Sequence, residues 1–281
     1  MIYNKVFFFV LSILFFSGCN KTFVVDEFPT IRYESISSGT SNTLRSVCFI
    51  NSTEGFAGGD AGTILQTTNG GTSWTSIPFS TSQNIYKVLF LNSSAGFVGT
   101  DNGLFRTASG GATWSGNILP FSQSAKIQDI FFIGSRGYAC GIGSSSGVVY
   151  KTNNGGTSWT KLTFPSGPNL GPYFKTLFFF TPDTGYAAGA DLDYASTTDG
   201  GLTWSGSYDV LGQNTVTPDF NKIYYLSLND GYAVGEGGKL LRTDWPPTND
   251  FDNLKPNDWE RNLYGFAIRG SKAIAVGQWS V

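Results

Sequence analysis

The stretch that decides the fold is Thr67-Thr-Asn-Gly-Gly-Thr-Ser-Trp74, because the chain repeats it three more times. The copies are Thr107-Ala-Ser-Gly-Gly-Ala-Thr-Trp114, Thr152-Asn-Asn-Gly-Gly-Thr-Ser-Trp159 and Thr197-Thr-Asp-Gly-Gly-Leu-Thr-Trp204. Their tryptophans step by 40, 45 and 45 residues. At the third position a short polar side chain (Asn69, Ser109, Asn154, Asp199) can bond backbone amides across a turn. The second glycine (Gly71, Gly111, Gly156, Gly201) permits positive φ. The tryptophan can fold back and bury a large ring. Each copy therefore reads as a structural turn between two strands rather than as a ligand site.

Working outward, a second motif precedes each turn: Gly55-Phe-Ala-Gly58, Gly96-Phe-Val-Gly99, Gly137-Tyr-Ala-Cys140, Gly185-Tyr-Ala-Ala188 and Gly231-Tyr-Ala-Val234, with a degenerate copy at Ala273-Ile-Ala-Val-Gly277. Before each lies an apolar run, such as Val47-Cys-Phe-Ile50 or Leu177-Phe-Phe-Phe180. Each unit thus supplies four strands, here A to D. Strand A is the apolar run, buried on both faces. Strand B is the glycine-aromatic-small run, whose small residues let neighbouring sheets approach. Strand C leads into the turn, and D starts at the tryptophan. Four strands in 40 to 45 residues is the size of a propeller blade. The chain is therefore expected to be all-β, a β-propeller of six blades, with seven the alternative.

Two units depart from the pattern. In the fifth, Thr243-Asp-Trp-Pro-Pro-Thr248 replaces the turn, and Trp259 is expected to take the tryptophan's place after a longer connection. The sixth has only strands A and B, near residues 264 to 277. Ile31-Arg-Tyr-Glu-Ser-Ile36 resembles the D strands, with Tyr33 where tryptophan stands elsewhere. Strand sharing between the two termini would then close the propeller.

Composition agrees. Thirty-six glycines, 16% aromatics and only 14% charged residues suit short strands and tight turns better than disorder or helices. A net charge of −2 gives no basis for nucleic-acid binding. The absence of histidine removes His-based catalysis and the commonest transition-metal ligand, so no cofactor or metal is expected. Cys48 and Cys140 sit in apolar strands of different repeats and are read as buried thiols, a disulfide being the alternative.

The N-terminus reads as a targeting signal (residues 1–18). Lys5 is followed by an apolar run from Val6 to Phe16 and by Ser17-Gly18-Cys19. This ending resembles a lipobox, in which the cysteine is lipidated and becomes the new N-terminus. An ordinary signal peptide or short anchor is the alternative. Residues 19–30 would be a lipidated tether and residues 31–281 a single propeller domain. The expected location is the bacterial cell envelope, on the outer membrane and facing either the periplasm or the surface, with the lipid as the only membrane contact.

The turn motif resembles the Asp-box, or BNR, motif. With the Gly-Tyr-Ala strand in phase, the repeat resembles the photosystem II stability/assembly factor family over nearly all of residues 31 to 281. The resemblance implies a propeller fold and non-enzymatic protein binding, and a monomer is expected. Two rival classes share Asp-boxes: glycan-binding modules and sialidase-like glycoside hydrolases. Sialidase chemistry needs an arginine triad and a tyrosine nucleophile with acidic partners. None of the seven arginines (Arg32, Arg45, Arg106, Arg136, Arg242, Arg261, Arg269) stands in the early Arg-Ile-Pro motif of sialidases, so no catalytic residue is assigned.

In a propeller the D–A and B–C loops share one face, around the channel mouth. The D–A loops vary most here, which is where function usually resides. Two sets of residues are expected to decorate that mouth. Two places before each strand A core stand Arg45, Tyr86, Gln128, Lys175, Asn221 and Tyr264. Just after strand B stand Asp60, Asp101, Asp191 and Glu236. The first set could instead line a hydrated channel. The second could be turn chemistry, because acidic residues before glycine are common in turns.

Overall fold

The computed structural model describes residues 36–120, 124–144, 146–164, 173–190, 194–207, 219–227, 230–243, 252–253, 262–269 and 272–277. The signal, Cys19, the tether and the expected closing strand with Tyr33 lie outside them, as do Asp191 and Trp259. Contacts divide the chain into two units, one ending at Ile130 and the other running from Phe131.

The described residues form six antiparallel sheets in sequence order. The first holds β1 (Leu44–Phe49), β2 (Gly55–Gly59), β3 (Ile64–Thr67) and β4 (Thr75–Ile77). The second holds β5 (Ile85–Phe90), β6 (Gly96–Thr100) and β7 (Gly103–Thr107). The third holds β8 (Lys126–Ile133), β9 (Arg136–Ile142), β10 (Gly147–Thr152) and β11 (Thr160–Lys161). The fourth holds β12 (Phe174–Phe179), β13 (Gly185–Gly189), β14 (Tyr194–Thr197) and β15 (Ser205–Ser207). The fifth holds β16 (Phe220–Ser227), β17 (Asp230–Gly235), β18 (Leu240–Thr243) and β19 (Asp252–Asn253). The sixth holds β20 (Leu263–Arg269) and β21 (Lys272–Gly277).

The strands fall where the repeat places A to D, with two differences. Among the described residues the second sheet has no continuous fourth strand. Ser115 and Ile118 still donate to the Arg106 and Leu104 carbonyls at 2.8 and 2.9 Å. Gly116 and Asn117 interrupt the run, and the Asn117 side chain itself accepts from Leu104 N. In the fifth sheet Arg242 pairs with Asp252, as Gln66 pairs with Thr75 in the first. The connection there is one residue longer than in the first sheet, and Trp259, expected in the tryptophan's place, lies outside the described residues.

Glycine has two jobs in strand B. A Cβ on Gly58 would lie 2.3 Å from Val88, and one on Gly99 2.7 Å from Ile127, so small residues do admit the next sheet. The first glycine of each motif answers to its own sheet instead. A Cβ on Gly55, Gly96, Gly185 or Gly231 would lie 2.3–2.6 Å from the ring of Phe49, Phe90, Phe179 or Tyr225. The other faces of three such rings receive an aromatic from the preceding sheet. Phe56 stacks on Phe90 at 3.5 Å, Tyr138 on Phe179 at 3.6 Å and Tyr186 on Tyr225 at 4.1 Å.

The core lies between consecutive sheets. In the first unit Phe56, Ile64 and Ile77 pack against Ile85, Val88 and Phe90. In the second unit one cluster joins Tyr138 and Val149 to Phe174 and Leu177, and another joins Tyr186 to Phe220 and Ile223. Cys48 is a free thiol that accepts from Phe90 N at 3.3 Å, and burial pushes its pKa up. Cys140 is fully buried.

Candidate functional site

The two ends of each sheet are built differently. At the C–D end the four turns share one hydrogen-bond pattern. The hydroxyl of Thr67, Thr107, Thr152 or Thr197 accepts from the second glycine's N–H at 2.7–3.0 Å. The side chain of Asn69, Ser109, Asn154 or Asp199 accepts from the amide four residues on, at 2.9–3.0 Å. Both glycines of every turn have positive φ. Ser109 fills the Asp position with the same bond. Thr203 hydroxyl and amide bonds hold the Asp199 carboxyl at about 2, well below its usual value. The threonine hydroxyls and the side chains at the Asp position are thus engaged within their own turns, and Trp159 and Trp204 are 5% exposed. The A–B loops meet the turns here: Gly70, Gly110, Gly155 and Gly200 donate to Thr53, Ser94, Ser135 and Asp183 carbonyls.

At the opposite end strand A meets strand B through a β-bulge. The pairing register skips one residue between Leu44 and Ser46, Ile85 and Lys87, Phe174 and Thr176, Phe220 and Lys222, and Leu263 and Gly265. The skipped residues are Arg45, Tyr86, Lys175, Asn221 and Tyr264. A bulge re-aims the side chain of its extra residue, which explains how polar and aromatic groups interrupt otherwise apolar strands. Beside each bulge the residue after strand B is pinned to the start of strand A. The N–H groups of Asp60, Asp101, Ala190 and Glu236 donate to Thr43, Asn84, Tyr173 and Asp219 carbonyls at 2.9–3.1 Å. Ala190 therefore occupies the position expected for Asp191. Five places after the first glycine of each motif stand Asp60, Asp101, Ala190 and Glu236, so the repeat spacing carried the cue.

In the first unit these side chains meet. Arg45 donates to both Asp60 carboxylate oxygens, at 2.5 and 3.0 Å. Its guanidinium stands 5.4 Å from the Tyr86 ring centre, and Lys126 Nζ stands 4.2 Å from it. Tyr86 hydroxyl donates to Asp101 at 2.7 Å. Burial first, and that bond second, raise the Tyr86 pKa, so the phenol stays a donor. Gln128 Oε1 is buried and accepts no hydrogen bond from a described group. One residue further along the strands, Lys87 Nζ pairs with Asp129 at 2.8 Å, and Asp129 is 3% exposed. Sequence reasoning missed this pair, although both residues directly follow the first set in the repeat.

In the second unit Lys175 is bonded to Asp219, a carboxylate outside both expected sets. Asn221 Nδ2 donates to Leu263 O at 2.8 Å. Tyr264 is 42% exposed. Glu236 opens a tight turn in which Gly237 N–H donates to Asn262 Oδ1 at 3.0 Å. The same latch joins Ala61 N–H to Asn84 Oδ1 at 3.1 Å in the first unit. Among the described residues no group of three or more Cys, Asp or Glu is placed to hold a metal ion.

Antiparallel four-stranded repeats closed by Asp-box turns define a protein of the propeller class. Residues 72–170 match the family model of the photosynthesis system II assembly factor YCF48, and the resemblance read from the repeats holds over that segment. No curated protein matches the chain. Among solved structures, YCF48 bound to D1 peptide is 16% identical with a TM-score of 0.54, covering 90% of this chain and 95% of that one. YCF48 from Cyanidioschyzon merolae is 16% identical with a TM-score of 0.51, covering 86% and 97%. An ancestral GH74 enzyme is 20% identical with a TM-score of 0.63, covering 78% of this chain and only 33% of its own. At these identities the likeness is one of fold.

Proposed function

We propose that the chain is a lipid-anchored, non-enzymatic binding protein, one six-bladed propeller that holds a protein partner at the bulged ends of its sheets. The observation that carries this is the bulge. One backbone device recurs in five sheets and extrudes five side chains of four kinds, Arg45, Tyr86, Lys175, Asn221 and Tyr264. The Asp-box ends repeat their side chains because the turn needs them. The bulged ends vary theirs, and arginine and tyrosine are types that carry interface energy. The family match over residues 72–170 and the YCF48 structure with its D1 peptide support a protein as the partner. Six blades, closed by Ile31–Ile36, rest on six in-phase copies of the strand B motif. Attachment at Cys19, and with it a place in the cell envelope, rests on Ser17-Gly18-Cys19.

The rival reading is a glycan-binding or glycoside-hydrolase role, favoured by the fold likeness to GH74 enzymes. Affinity capture with the acylated protein from its native membrane separates the two. Capture of a protein partner is expected, with turnover of xyloglucan and of aryl-glycosides absent. Arg45→Ala/Lys175→Ala should lose the partner. Turnover that disappears with a carboxylate or tyrosine substitution would overturn the proposal, and so would undiminished capture by the double variant. Labelling with a palmitate analogue should vanish in Cys19→Ala.

A further inference from the structure

The first and fifth sheets present the same arrangement to the sheet that follows, and among the described residues only one is filled. In the first unit a tight turn opened by an acid, Asp60-Ala61-Gly62, is latched to Asn84, and Tyr86 follows two residues later. In the second unit Glu236-Gly237-Gly238 is latched in the same way to Asn262, and Tyr264 follows two residues later. Both tyrosines are bulge residues. The acid and the tyrosine are thus brought to equivalent places by the same two backbone devices.

What differs is the residue on the bulge of the acid's own sheet. In the first it is Arg45, whose guanidinium lies over the Tyr86 ring and is bonded in bidentate fashion to Asp60. In the fifth it is Asn221, whose side chain is spent on the Leu263 carbonyl. Glu236 consequently makes no ion pair among the described residues, and Tyr264 keeps 42% of its surface exposed. A carboxylate beside an aromatic face is the environment a guanidinium prefers, through charge-assisted hydrogen bonds and cation–π attraction together. The molecule itself shows the occupant at the equivalent place.

We infer that Glu236 and Tyr264 form a binding site for an arginine side chain presented by a partner protein, which takes the position that Arg45 takes internally in the first unit. This rests on the reading of the bulged ends as the partner-binding surface and names the chemistry of one anchor. Asn221 is the specificity-determining residue, because its short side chain leaves the position open.

The test uses the full chain and the peptide acetyl-Gly-Arg-Gly-amide, with citrulline and glutamate counterparts as controls. Amide chemical shifts of Gly237 and Tyr264 report occupancy. The arginine peptide should shift both saturably, and the citrulline and glutamate peptides should not. Glu236→Gln and Tyr264→Ala should each weaken binding roughly tenfold, the scale of one charged or cation–π contact. Asn221→Arg should fill the site from within and abolish binding while the fold is retained. Equal binding of the citrulline peptide, or unchanged binding by Asn221→Arg, would overturn the inference. Partner capture that depends on Arg45 and Lys175 but ignores Asn221→Arg would overturn it while leaving the proposed function intact. Capture indifferent to all three would remove the proposed surface as well.

Discussion

The two ends of the sheets teach opposite lessons about repetition. At the Asp-box end, four turns repeat both backbone and side chains. In each, the threonine hydroxyl and the side chain at the Asp position accept amides of their own turn, from Thr67 and Asn69 to Thr197 and Asp199. At the bulged end the backbone repeats and the side chains do not. Arg45 is paired with Asp60, Tyr86 with Asp101, Lys175 with Asp219, while Asn221 turns to a carbonyl and Tyr264 stays exposed. Repetition of side chains marks what the fold requires. Repetition of the device alone marks a scaffold on which side chains can be chosen for something else.

The largest effect that would sharpen this contrast comes from the boxes. Trp159, 5% exposed, packs edge-on against Phe132 at 5.8 Å. Trp159→Ala should cost about 3–5 kcal/mol, read as a lower denaturation midpoint with an unchanged slope. A change below 1 kcal/mol would show that the box tryptophan is not structural, on the scale set by such truncations.

Next comes the glycine under the ring. A Cβ on Gly185 would lie 2.3 Å from Phe179, which is held on its other face by Tyr138. Gly185→Ala should cost about 1–3 kcal/mol, because the ring has nowhere to retreat. Thermal unfolding measures this, and a neutral substitution would mean the stack is loose.

Much of the first lesson was legible in the sequence and little of the second. Box and strand patterns are local, so Thr67 to Trp74 and its copies announce themselves. The bulge is a property of pairing between strands, and nothing in Leu44-Arg45-Ser46 states that Arg45 is skipped. At the fourth sheet the backbone bond that follows strand B comes from Ala190, one place before the expected Asp191. Asp219 and the Lys87–Asp129 pair were missed because their partners come from other repeats, at separations no local motif records. Asp60, Asp101 and Glu236 could be picked out because each directly follows a recognisable strand B.

Smaller effects probe the turns beside the bulges. Ala61 holds φ of 53°, while its counterpart Gly237 holds 61° at no steric cost. Ala61→Gly should stabilise by up to about 0.5–1 kcal/mol, the left-handed strain relieved less the added chain entropy of glycine. An unstable variant would show that the Ala61 methyl makes a contact of its own.

The smallest effect is confined to acid. The Asp199 carboxyl is held at about 2, so its contribution is present above its ordinary value near 3.8 and is lost as pH falls toward 2. Asp199→Asn should flatten the stability profile in that window and leave neutral stability nearly unchanged, since Asn69 and Asn154 close the same turn with an amide. An unaltered acid limb would mean that the Thr203 bonds do not favour the charged form.

The most direct test of the division between building ends and binding ends is a paired measurement on two full-length variants. Arg45→Ala/Tyr86→Ala and Trp159→Ala are compared for melting temperature and for partner capture well below either melting point. The account predicts that the bulge variant melts close to the parent and loses capture, while the box variant melts clearly lower and keeps it. The reverse pattern, capture lost with the box and kept without Arg45 and Tyr86, would contradict it.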